Sequence, residues 1–452
     1  MNLTCFKTYD IRGKLGHDLD DQIAHRIGRG FAHALNARKV VLGRDARPSS
    51  APLSRSVAQA LMAEGCEVLD LGLSGTEEMY FATAHFGADG GICVTASHNP
   101  IEWNGMKLVG RGAAPLDPET DLAKVRALAE GGDFGPAQTG GRRKDIAAPA
   151  RAAYVERVLS FVDPAALRPL RIVVNAGNGA AGPSFDAIAD ALAARGAPLE
   201  FVRMHHNPDP TFPNGIPNPL LPQNRPVTAE AVRRARADMG VAWDGDFDRC
   251  FLFDHTGAFV DGEYIVGLLA QVFLGREPGA TIIHDPRVIW NTQDIVAQAG
   301  GRAVQARTGH AFLKQAMRAH GAVYGGEMSA HHYFRDFAHC DSGMIPWLVI
   351  AELVSRKGAL ADLIAERRAA FPSSGEINFT VADPAAAIAR VEAAYKTDAI
   401  EIDRADGLGV AFADWRFNLR ASNTEPVLRL NAESRGRAVE PLIAPLVALL
   451  TA

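Results

Sequence analysis

Ser97 stands in a short polar turn, Thr95-Ala96-Ser97-His98-Asn99-Pro100, directly after the apolar run Gly91-Ile92-Cys93-Val94. The run reads as a buried strand, and Pro100 holds Asn99 extended, so the chain must turn at the strand's carboxyl end. That is where α/β sheets set their chemistry, and a hydroxyl there can act as a nucleophile or carry a phosphoryl group. A second strand-like run, Met239 to Trp243, leads into Asp244-Gly245-Asp246-Phe247-Asp248-Arg249. Three carboxylates at alternating positions repel one another unless a cation joins them, and a ring of hard oxygen donors suits Mg²⁺. An EF-hand is excluded, because neither its glycine nor its closing glutamate falls in place. Arg249 is set to reach a phosphate or to hold one of the carboxylates.

Two more loops extend the set. Gly325-Gly326-Glu327-Met328-Ser329-Ala330-His331-His332 offers a carboxylate, a hydroxyl and imidazoles, the groups that grip vicinal sugar hydroxyls. Arg420-Ala421-Ser422-Asn423-Thr424-Glu425-Pro426, with Arg429 beyond it, has the composition of an anion pocket. Singly, each loop reads equally well as a helix cap or a plain turn. Together they suggest a phosphate donor, a metal, a sugar grip and a second phosphate site. Hydrolysis needs no second phosphate site; moving a phosphate from one end of a sugar to the other does.

Over essentially its whole length the chain resembles the α-D-phosphohexomutases, and among them the phosphomannomutase/phosphoglucomutase branch. The resemblance is carried by Tyr9-Asp10-Ile11-Arg12-Gly13, Gly43-Arg44-Asp45-Ala46-Arg47, residues 95–100, Asn104-Gly105-Met106-Lys107, residues 244–249, 326–331 and 420–426. It implies three similar α/β domains with mixed sheets between helices, plus a smaller C-terminal α+β domain closing a central cleft. It further implies a phosphohexomutase that interconverts hexose 1-phosphate and hexose 6-phosphate (mannose and glucose). Phosphorylated Ser97 would donate to the sugar, and a hexose 1,6-bisphosphate would form, turn end over end and rephosphorylate the serine. By the same resemblance Mg²⁺ would sit on Asp244, Asp246, Asp248 and the phosphoserine, with Arg12, Lys107 and His98 beside it. Tyr9, Arg249, Arg287, His310, Glu327, Ser329 and His331 would contact substrate. Arg420, Ser422, Asn423, Thr424 and Arg429 would bind its phosphate.

Two positions depart from the family pattern, Phe247 and Ala330, each standing where a glycine is usual. The Phe247 side chain is expected to point away from the carboxylates, and Ala330 to matter only if its backbone needs a positive φ. Met328 argues against a phosphoglucosamine mutase, where glutamine is usual at that place. A metal-dependent sugar phosphatase and a sugar-phosphate sensor are the remaining rivals. Bland readings also exist for single residues: Arg12 as a partner of Asp10, Lys107 as an exposed loop residue, and His310 as a cap after Gly309.

Strand and helix signals alternate in a way that can position these loops. The first third carries Lys39 to Gly43, a helix-like Ser56 to Glu64, and Glu67 to Leu71; the second carries Leu170 to Val174 and Leu199 to Val202; the third opens at Ala280 to His284. Residues 175–179 read as a structural turn. A smaller unit follows Pro372, with a strand at Ile377 to Val381 and helices at Ala385 to Tyr395 and Val439 to Leu450. The expected domains are 1–145 with the serine loop, 146–252 with the metal loop, 253–368 with the sugar loop and 369–452 with the phosphate loop.

The 452 residues are 47% hydrophobic with a formal net charge of −5, enough for several cores. Interspersed charges give no pointer to a nucleic-acid or membrane surface or to an obligate protein partner, and the resemblance implies small hexose phosphates as the ligands. The amino terminus lacks a leader pattern, and five scattered cysteines read as reduced core thiols, which together lead to a cytoplasmic expectation.

Overall fold

A computed structural model describes residues 1–421 and 427–451. The chain divides into two compact units, Met1–Phe259 with His331–Lys357, and Val260–Ala330 with Gly358–Ala452.

In the first unit, Gly90–Val94 is buried at every position, as expected of a continuous apolar strand with neighbours on both sides. It runs parallel to Lys39–Arg44 and antiparallel to Trp103–Gly110, which pairs in turn with Ile11–Lys14. Glu67–Leu73 and Arg142–Asp145 extend the opposite side in parallel, making a mixed sheet. The helix Asp21–Leu35 packs Ile23, Ile27 and Phe31 into the core on one stripe. Its Asp20 cap accepts from Ile23 N at 2.8 Å, and Asn36 ends it in the left-handed conformation. The next helix, Ser50–Ala63, starts earlier than its apolar pattern suggested. Pro52 lies in its first turn, where no intrahelical N–H is required.

The second sheet is mixed as well. Met239–Trp243 is parallel to Leu170–Asn175 and antiparallel to Cys250–Asp254, with Leu199–Met204 on the far side of Leu170–Asn175. Because Trp243 pairs with Cys250, the aspartate loop is the connection of a β-hairpin. The serine turn is also a hairpin connection, since Val94 pairs with Met106. Antiparallel returns thus carry both loops, each at the strand end where the sequence placed it.

In the second unit, Thr281–His284 lies between Arg302–Gln305 and Tyr324–Gly326, all parallel. The C-terminal sheet is antiparallel, in the order Ser373–Phe379, Leu428–Ser434, Trp415–Ala421, Leu408–Ala411, Glu401–Asp403. Pro384–Tyr395 and Glu440–Thr451 contribute Val391 and Leu446 to its core with Phe417, Leu419 and Leu430. Among the described residues no helix is long and apolar enough to cross a membrane. All five cysteines are buried free thiols, Cys93 among them.

Candidate active site

Ser97 adopts a left-handed backbone, φ +48°, a conformation that costs a non-glycine residue roughly 1 kcal/mol. The surrounding bonds enforce it. Its N–H donates to Thr95 Oγ1 at 2.8 Å, and Thr95 Oγ1 donates to the buried Asp45 at 2.7 Å. The Ser97 hydroxyl then donates to Asp244 Oδ2 at 2.6 Å, so the serine and metal loops meet directly. A Cβ on Gly245 would lie 2.6 Å from Ser97 O; only glycine allows this approach.

Ligand oxygens of Asp244, Asp246 and Asp248 lie within 4.8 Å of one another, and all three residues are essentially inaccessible. Burial and the charges of Asp248 and Asp246 push the Asp244 carboxyl up to about 7. Asp248 is raised for the same reasons, burial first. Asp246 goes the other way: burial opposes ionisation, but Lys107 and the Thr76 hydroxyl outweigh it. Lys107 Nζ donates to Asp246 Oδ2 at 2.9 Å and also to Asp248. Burial alone would lower the Lys107 ammonium, and the two carboxylates reverse that and raise it. Lys107 is therefore buried on the strand Trp103–Gly110, opposite Cys93, and not in an exposed loop. Asp246 Oδ1 and Asp248 Oδ1 are buried with no hydrogen-bond partner. Converging hard oxygens with two bonding sites unspent fit a small divalent cation.

The basic groups sort differently. Arg12 pairs with Asp10 at 3.0 Å, and its Nη1 also reaches Thr95 O at 3.3 Å, at the mouth of the serine turn. His98 Nδ1 lies 3.0 Å from Ser97 Oγ; burial, then the charges of Arg249 and Arg12, hold its pKa well below the usual imidazole range. Arg249 holds a carboxylate: its N–H donates to Asp244 Oδ1 at 3.3 Å and its guanidinium lies 3.6 Å from Oδ2. Arg249 Nε also donates to His331 Nε2 at 3.2 Å, and that ring lies 3.7 Å from Asp248. Tyr9 is half-buried in the turn that Lys7 N closes onto Asp10 O.

In the second unit the sugar-loop residues gather around Arg287. Its guanidinium pairs with Asp285 at 2.6 Å, donates to Ser329 Oγ at 3.2 Å and lies 3.6 Å from Glu327. Glu327 also accepts from Gly309 N at 3.0 Å, and Asp285 from Met328 N at 2.9 Å. His310 opens the helix His310–His320 and Gly309 is its cap residue, so the histidine is not the cap. Glu376 collects three arginines, with Arg429 at 3.3 Å, Arg420 at 3.8 Å and Arg287 at 3.9 Å. Burial, with Arg287 nearby, lowers the Arg420 pKa. Ser422, Asn423 and Thr424 lie outside the described residues.

Several contributors had no signal of their own. Asp285, in the loop after the strand Thr281–His284, and Glu376, on the strand Ser373–Phe379, are isolated acids recognisable only once their arginine partners are in place. Thr76, which donates to Asp246 Oδ2 at 2.6 Å, looks in sequence like a helix start. Both family departures carry a backbone consequence. Phe247 has φ +46° and its ring fills the space where a Gly75 Cβ would be, so the side chain is core and the carboxylates still converge. Ala330 has φ +71°, so the backbone there does take the positive value that the sequence left open.

Comparison with known proteins agrees with this geometry. Phosphoglucomutase/phosphomannomutase α/β/α domains I, II and III match residues 4–135, 152–257 and 261–371, and the C-terminal domain of that family matches 376–448. A phosphomannomutase of Salmonella montevideo is 59% identical over 436 residues, 96% of each chain. One from Escherichia coli K12 is 57% identical over 435 residues, 96% of this chain and 95% of its own. The crystal structure of a phosphoglucomutase/phosphomannomutase family protein from Burkholderia thailandensis superposes with a TM-score of 0.87 at 32% identity, covering 100% of this chain and 98% of that one. Four consecutive domain matches, in a chain that joins its serine turn to a carboxylate trio, place this protein in the phosphoglucomutase/phosphomannomutase family.

Proposed function

We propose that this enzyme interconverts hexose 1-phosphates and hexose 6-phosphates, those of mannose and of glucose, through phosphorylated Ser97. The observation that carries the reading is the 2.6 Å bond from Ser97 Oγ to Asp244 inside a buried carboxylate trio. The high identity to phosphomannomutases sets the substrate class.

In this reading the Ser97 Oγ–P bond breaks as a new P–O bond forms to the free sugar hydroxyl, whose proton leaves to a base. The resulting hexose 1,6-bisphosphate reorients and returns its other phosphate to Oγ. Mg²⁺ on Asp244, Asp246 and Asp248 would neutralise charge on the transferring group. Lys107 holds Asp246 and Asp248 in place, and Arg249 fixes Asp244. Arg12 and His98 border the serine and would position the phosphoryl oxygens. Glu327 and Ser329 would grip the hydroxyls that mannose and glucose share, since these sugars differ only at carbon 2. Arg420 and Arg429 would take the phosphate not in transfer, with the residues 422–424 between them.

The test is conversion of mannose 1-phosphate by purified enzyme with a trace of hexose 1,6-bisphosphate. Mannose 6-phosphate is expected, with activation by the bisphosphate and loss of turnover in EDTA. Release of inorganic phosphate without isomerisation would instead identify a phosphatase. A strong preference for glucosamine phosphate would overturn the substrate assignment.

A further inference from the structure

Arg47 is a large charged side chain with 1% of its surface exposed, and its contacts converge on one segment. Nη1 donates to Pro100 O at 2.9 Å and Trp103 O at 3.1 Å. Nη2 donates to Ser97 O at 3.0 Å and also to Asn99 O. All four acceptors belong to the turn that begins at the phosphoryl-carrying serine. Neutral carbonyls repay less of the desolvation of a guanidinium than a carboxylate fork would, so packing alone is a poor reason to bury one here.

Asp45 completes the arrangement. Its carboxylate accepts from Arg47 N at 3.0 Å, lies 3.5 Å from Arg47 Nε, and accepts from Thr95 Oγ1 at 2.7 Å. Thr95 Oγ1 in turn accepts from Ser97 N. One buried carboxylate thus anchors both sides of Ser97: the N–H through Thr95, and the C=O through Arg47. That double hold falls on a residue with φ +48°, a backbone that would relax if either side were released.

We propose that Arg47 is a positioning residue for phosphoryl transfer, its guanidinium tying the 97–103 turn so that Ser97 Oγ stays aimed at Asp244. The proposal rests on the reading of Ser97 as the phosphoryl carrier. A lysine keeps the charge but, as a compact point donor, cannot span four carbonyls the way a planar fork does.

The test compares Arg47→Lys, Asp45→Asn and Ser97→Ala with the parent enzyme, each with Mg²⁺ and hexose 1,6-bisphosphate, reading kcat, KM and the unfolding midpoint. For Arg47→Lys, kcat is expected to fall about ten- to a hundredfold while KM for the hexose phosphate stays within about twofold. Asp45→Asn is expected to move kcat in the same direction by less, and it carries the test if Arg47→Lys does not fold. An unchanged kcat in whichever of these variants folds would overturn the proposal, as would a loss that merely tracks the folded fraction. Isomerisation by Ser97→Ala would overturn the underlying reading instead. An inactive Ser97→Ala beside a fully active Arg47→Lys would overturn the role of Arg47 alone.

Discussion

Four charges decide the behaviour of the site: Asp244, Asp246 and Asp248 against Lys107. Removing the ammonium leaves two buried carboxylates uncompensated, and such losses typically cost about 3–5 kcal/mol. Lys107→Met is therefore expected to lower metal-free stability by about that amount in denaturant titration, with part of the loss restored by added Mg²⁺. The pH dependence follows from Asp244, whose folded pKa of about 7 lies above the ordinary aspartate value. Between the two values the folded protein holds a proton that the unfolded chain has released, so this group makes the metal-free protein less stable as pH rises from about 4 to 7, and adds no slope above. A cation must displace that proton. The rise in unfolding midpoint produced by Mg²⁺ is accordingly expected to be larger at pH 8 than at pH 5.5, as thermal melts can check; equal rises would contradict the coupling. At this scale the sequence was a good guide to the aspartates, whose spacing is their signal. Lys107 was legible only through the family resemblance, because a lone lysine looks the same in a loop and on a buried strand.

Elements hold these residues in register. Two hairpin connections meet back to back, and Gly245 is the contact at which a side chain has no room. Gly245→Ala is expected to push the metal loop off the serine turn and cut kcat by about a hundredfold with the fold intact, since a displacement near 1 Å is enough for such a loss. Unchanged kcat in a folded variant would show that the approach does not matter. The strands were legible where they are continuous apolar runs: Met239–Trp243 was read to the residue, and Gly90–Val94 differs by one at its start. Helix starts were less so, because Ser50–Ala63 begins in a serine- and proline-containing turn that reads as loop. Hairpin geometry escaped the sequence altogether: the loops carry chemistry in place of the Asn-Gly signal that marks a short hairpin turn.

For the whole molecule, the resemblance carried by seven short segments, together with the alternation of strand and helix, was sufficient to anticipate three α/β domains and a C-terminal α+β one, though not that the C-terminal sheet would be antiparallel throughout. What neither supplied was the pairing between acids and their arginines. Asp45 and Asp285 pair with the nearby Arg47 and Arg287, and Glu376 with Arg429 far along the chain, and charge composition cannot reveal which pairs form. All of this converges on one chemical event, a phosphate resting on a serine between two halves of a reaction. Hexose 1,6-bisphosphate labelled with ³²P, mixed with the enzyme, quenched in acid and mapped by peptide, tests it most directly. The label is expected on the peptide containing Ser97, and is expected to leave as labelled bisphosphate when unlabelled hexose monophosphate is added. Isomerisation at full rate with Ser97 unlabelled throughout would contradict the account.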